Sequence, residues 1–116
     1  MRVKGNLQAS VPATDLPQRL PPRFKNCVDA SLIKGATVDL LLFTPGDRNV
    51  VSSKDLAKAL QQRNIQSESQ LVAVGYDFTQ EARDLISNTG GLLFVEGGYF
   101  GWTDEMWRSI HQGSAT

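Results

Sequence analysis

The 116-residue chain has one cysteine, Cys27, and one histidine, His111. A lone cysteine excludes an internal disulfide and fits a reducing, cytoplasmic setting. Its ordinary role is that of a small hydrophobe at the edge of a core. One Cys and one His cannot assemble a zinc site of the usual ligand types within one chain. No cofactor is expected either: Gly97, Gly98 and Gly101 lack the G-x-G-x-x-G spacing, and there is no phosphate-loop motif. No run of 18 apolar residues is present, so no membrane span and no membrane partner are expected. The basic start of the chain is not followed by an apolar stretch, and no secretory leader is expected. Formal net charge is zero, which removes the simplest argument for nucleic acid.

The charge that is present is uneven. Residues 1–37 carry six basic side chains (Arg2, Lys4, Arg19, Arg23, Lys25, Lys34) against Asp15 and Asp29, a net of +4. The remainder carries six basic against ten acidic residues, a net of −4. Such asymmetry marks a basic arm that meets an acidic partner, or two halves that neutralise each other in the fold. Four of the five prolines (Pro12, Pro17, Pro21, Pro22) lie in the same region. Proline removes backbone donors and disfavours helix at the preceding residue. Residues 1–36 therefore read as a basic, Pro-rich arm with an edge strand over 1–9. Residues 10–23 are extended across the surface, with at most a turn of helix over 14–20 capped by Thr14. Residues 24–34 lean towards helix, on the spacing of Phe24, Cys27, Val28, Leu32 and Ile33.

From residue 37 the pattern is that of an α/β core, over 37–112. Residues 37–44 are β-branched and apolar without interruption, which suits a strand buried on both faces. Ser52 or Ser53 caps a helix running to about Arg63, with Leu56, Ala59, Leu60 and Arg63 on one stripe. Residues 70–76 are a second buried strand. Thr79 caps a helix over 80–87, and Asn88-Thr89-Gly90-Gly91 stops it. Leu92–Val95 is a third strand. Thr103 caps a last helix, and 113–116 form a frayed tail. Strand and helix alternate, so the prediction is a two- or three-layer α/β domain with a mainly parallel sheet of about four strands and flanking helices.

Parallel strands end on one edge, where open α/β sheets bind ligands. That edge would gather Asp47, Arg48, Asp77, Thr79 and Glu96. The helix starts at Ser52, Thr79 and Thr103 would offer free N–H groups to an anion. Three carboxylates there could hold magnesium or act as acid and base; acidic residues at such turns also serve simply as turn formers and caps. Aromatics cluster late, and Tyr99, Phe100 and Trp102 fall in a glycine-rich loop suited to a protein interface or to base stacking.

The segment Phe78-Thr79-Gln80-Glu81-Ala82, following a strand and opening a helix, resembles one in the Mrr-type, restriction-endonuclease-like domain. The resemblance covers residues 50–97 and corresponds to the second half of that domain. It implies the family's fold. The family's nuclease chemistry needs an acidic residue on one strand and an acidic-x-Lys or Gln-x-Lys on the next, to hold magnesium and activate water. The strand at 37–44 has Asp39 followed by Leu40 and Leu41, with no lysine. The resemblance thus implies a non-catalytic copy.

Three readings follow. The first is a non-catalytic module that binds nucleic acid or a nucleic-acid-associated protein, through Arg2, Lys4, Arg19, Arg23 and Lys25. The second is a protein-interaction or regulatory protein, as a homodimer or with another partner, using Tyr99, Phe100 and Trp102. The third is a small enzyme for a phosphate-containing ligand at the carboxyl edge.

Overall fold

A computed structural model describes residues 4–43, 50–97, 103–106 and 109. Arg2, Asp47, Arg48, Tyr99, Phe100 and Trp102 lie outside the described residues. The elements in order are β1 (Gly5–Pro12), α1 (Leu16–Arg19), β2 (Thr37–Phe43), β3 (Val50–Val51), α2 (Ser53–Leu60), β4 (Gln70–Gly75), β5 (Asp77–Phe78), α3 (Gln80–Asn88) and β6 (Leu92–Val95). The main sheet has the order β1-β2-β4-β6. β2, β4 and β6 are parallel, and β1 joins antiparallel at the edge. This is the mainly parallel four-stranded α/β arrangement expected from the strand and helix alternation. β3 and β5 form a second, two-stranded parallel ladder. No helix among the described residues is long and apolar enough to cross a membrane.

Side chains alternate across a strand, so the apolar runs of β2 and β4 feed two cores. Leu41, Phe43, Leu71 and Ala73 pack with Leu56 and Ala59 of α2, Ala82 and Ile86 of α3, and Val51 and Phe78. Val38, Leu40, Leu42, Val72 and Val74 form the other core with Phe94. Its remaining members are Val11, Leu16, Leu20 and Phe24. The Pro-rich segment is therefore not an extended arm crossing the surface. It folds into 3-10 turns (Ala13–Asp15, Pro22–Phe24) around α1, and Leu16, Leu20 and Phe24 are buried. Each such side chain contributes roughly 1.5–3 kcal/mol. Prolines fix the turns without needing the backbone donors that a strand requires. The α1 turn is preceded by Asp15 rather than capped by Thr14.

The helix expected over 24–34 does not form. Asp29 accepts from the Ser31 N–H at 3.0 Å and holds a 3-10 turn, Ala30–Leu32, instead. Short acidic side chains compete in this way with helical hydrogen bonds. Leu32, expected on a buried stripe, is exposed.

The later helices keep their expected starts. Ser52 accepts from the Asp55 N–H and Thr79 from the Ala82 N–H, both at 3.2 Å. α3 ends in a Schellman arrangement: Gly90 N–H reaches the Ser87 carbonyl, Gly91 N–H reaches Ile86, and Gly90 has φ of 74°. α2 stops at Leu60, short of the expected Arg63. β1 runs so close to α2 that a Cβ on Gly5 would lie 2.7 Å from Phe43 Cε1 and 2.9 Å from Ala59 Cβ.

Candidate functional site

The three parallel strands end at Phe43, Gly75 and Val95, and of the groups expected on that edge the described ones, Asp77, Thr79 and Glu96, are bonded within the chain. Asp77 is fully buried. Its Oδ1 accepts from the Phe78 N–H at 2.8 Å and from Arg83 Nη2 at 2.6 Å. Arg83 Nε also donates to the Phe78 carbonyl at 3.0 Å, so the guanidinium clamps the β5 turn. The second oxygen, Oδ2, is buried without a hydrogen-bond partner. Glu96 turns the other way and pairs with Arg23 Nε at 2.5 Å, both half-exposed. The Arg23 guanidinium also lies 5.1 Å from the centre of the Phe24 ring. Asp77 and Glu96 thus point to separate partners and do not converge. Among the described residues, no group of three or more His, Cys, Asp or Glu side chains is arranged to hold a metal.

Thr79 has a second partner besides its cap: its hydroxyl donates to Asp104. The same carboxylate accepts from the Ser53 N–H at 3.2 Å and from the Ser53 hydroxyl. The Asp104 N–H in turn donates to Glu81. The starts of α2 and α3, expected to offer donors to an external anion, therefore share the chain's own carboxylate. Burial works to raise the Asp104 pKa, but the hydrogen bonds from Ser53 and Thr79 outweigh it, and the group sits below its ordinary value. Asp104 was legible only as a first-turn acid after Thr103, which does cap residues 104–106 through the Met106 N–H at 3.0 Å. Nothing local signals that it reaches 51 residues back to Ser53.

A second polar cluster sits at the amino edge of the sheet. Asp39, fully buried in β2, accepts from the Ser10 N–H at 3.0 Å, Arg63 Nε at 2.8 Å and the Ser67 hydroxyl at 2.6 Å. Arg63 also donates to the Ser69 carbonyl at 2.7 Å. Ser10 has φ of 54° and lies where the β1 register shifts against β2. That bulge turns its N–H towards the carboxylate. A cleft of about 380 Å³, lined by Ser10, Thr37, Asp39, Asn64, Ser67 and Ser69 among others, opens beside the cluster. Every oxygen of Asp39 is satisfied, so the cluster ties β1, β2 and the segment after α2 together. Cys27 is half-buried and its thiol donates to the Phe24 carbonyl at 3.2 Å. Burial pushes its pKa up, away from the reactive thiolate.

The described basic residues do not form one patch. Arg19 Nη1 reaches Gln8 on β1 at 3.3 Å, whereas Arg23 pairs with Glu96 just beyond β6, and these two strands are opposite edges of the sheet. Lys25 is exposed. Lys4 lines a cleft of about 430 Å³ between β1 and α2, together with Asn6, Lys58, Gln61 and Gln62.

Comparison with protein-family models, with curated proteins and with solved structures gives no match for this chain.

Proposed function

We propose that this chain is a non-catalytic, restriction-endonuclease-like α/β module that binds nucleic acid or a nucleic-acid-associated protein. The observation that carries the reading is the commitment of the described carboxyl-edge groups to partners inside the chain. Asp77 is held by Arg83, Glu96 by Arg23, and Asp104 spans the starts of α2 and α3. Carboxylates tied in this way are poorly placed to hold a metal or to move a proton in a reaction. The exposed chemistry then lies with basic side chains such as Lys4, Arg19 and Lys25. In this reading the turns of the Pro-rich segment, the sheet and the helices make three layers, and the half-buried single cysteine belongs to a cytoplasmic protein. The test is fluorescence anisotropy of a labelled single strand and a labelled duplex, at low and at physiological salt. Binding that weakens steeply with salt supports the reading, since phosphate contacts release counterions. No binding to either at low salt sinks the nucleic-acid reading.

A specific observation also favours association with another copy. The β1 edge is blunted by a bulge at Ser10 and by Pro12. β6 carries only Leu92, Leu93, Phe94 and Val95, and among the described residues no strand pairs with its outer side. Unprotected apolar edges are sites of strand addition. Sedimentation over a hundredfold concentration range decides this reading: a monomer throughout would remove it.

A further inference from the structure

We infer that the cleft between β1 and α2 is where a phosphodiester backbone is held, an assignment that rests on the nucleic-acid reading above. Its floor is Gly5 and Ala59, both buried. The close approach at Gly5 sets the strand against the helix, and Gln62 Nε2 donates to the Gly5 carbonyl at 3.0 Å, which fixes one wall. Lys4 and Lys58 stand exposed on the rim, with the carboxamides of Asn6 and Gln61. Lys54 is exposed one turn before Lys58, at the i, i+4 spacing that shares a helix face. Among the described residues none of these three lysines is in an ion pair.

The donor set decides the ligand class. Ammonium and carboxamide groups donate, and phosphate oxygens only accept. Among the described residues Asp55 is the single carboxylate on the lining. The negative end of the α2 dipole works weakly against an anion, so the ammonium groups carry the attraction. Among the described residues no aromatic side chain lines the cleft, which removes the usual platform for stacking bases. Contacts of this kind position a backbone and do not read its sequence. The cleft therefore fits a nucleic-acid strand bound without sequence preference.

The experiment compares the wild-type chain with Lys4→Glu/Lys58→Glu, and with Lys34→Glu/Gln66→Glu/Asn88→Asp as a control of equal charge change. A labelled single strand and a labelled duplex are titrated from low to physiological salt. All five substituted side chains are exposed, so circular dichroism should stay unchanged. Losing two phosphate contacts should lower the salt slope by about 1.4 on a single strand and about 1.8 on a duplex. The control should leave the slope near the wild-type value. If the wild type binds and both variants lose slope equally, the cleft assignment falls and the nucleic-acid reading stands. If the wild type binds neither probe, both fall. If polyglutamate displaces the strand at matched charge concentration, the cleft recognises acidic polymers generally, and the phosphodiester assignment is overturned.

Discussion

Arg63 and Asp39 form an ion pair at 2.8 Å in which the carboxylate is almost wholly buried and the guanidinium side chain is 21% exposed. The two partners are thus unequal. Removing Arg63 leaves a charge in the sheet with only Ser10 and Ser67 as donors, and stranding a buried charge costs about 3–5 kcal/mol. Removing the Asp39 charge leaves an arginine that can turn to water. We expect Arg63→Ala to lower the unfolding free energy by about 3–5 kcal/mol and Asp39→Asn by only about 1–3 kcal/mol. Urea unfolding followed by circular dichroism measures both. Equal losses would mean that the pair is not anchored by the buried end.

Acid should unfold the protein through the same cluster. Burial works to raise the Asp39 pKa, but hydrogen bonds from Arg63, Ser67 and the Ser10 N–H outweigh it, and the group lies below its ordinary 3.8. Asp104 is lowered likewise by Ser53 and Thr79. A carboxylate depressed in the folded state adds stability that is complete above its unfolded pKa. That stability is lost as pH falls through the folded value. The unfolding midpoint should therefore be flat from about pH 7 to about pH 5 and fall below about pH 4. Asp39→Asn should make the acid limb shallower. A midpoint that rises on acidification would contradict the assignment.

What could be read beforehand follows from the range of each signal. β2, β4 and β6 were legible because an unbroken apolar run needs cover on both faces. The starts of α2 and α3 were legible because a Ser or Thr cap acts within three residues. The second core was hidden by its prolines. Leu16, Leu20 and Phe24 recur every four residues, yet Pro17, Pro21 and Pro22 argue against a continuous helix, and the single turn of α1 with the 3-10 turn Pro22–Phe24 buries the same side chains. The end of α2 was misplaced for a non-local reason. Arg63 continues the helical stripe by spacing, but Asp39, 24 residues earlier, draws it away. At the carboxyl edge, Asp77 and Thr79 follow β4, and their partners Arg83 and Asp104 stand at helical positions, 6 and 25 residues further on, where spacing alone marks no such contact.

The occupation of the helix starts by Asp104 gives the sharpest test of how the carboxyl edge is built. In Asp104→Ala the Ser53 N–H and the hydroxyls of Ser53 and Thr79 lose their acceptor. The cost should be about 1–2 kcal/mol, in the range of a lost helix cap. Donors at the N-terminal ends of two helices form a site for an external anion once the internal one is gone. Sulfate should then stabilise the variant by mass action, roughly 1.4 kcal/mol at ten times its Kd, a rise of a few degrees in Tm for a domain of this size. The wild type, whose donors are already bonded, should respond to sulfate no more than to sodium chloride at equal ionic strength. Thermal unfolding of both proteins in the two salts makes the comparison. An equal sulfate response in variant and wild type would mean that Asp104 does not fill an anion position, and that the edge is open to ligands in the intact protein.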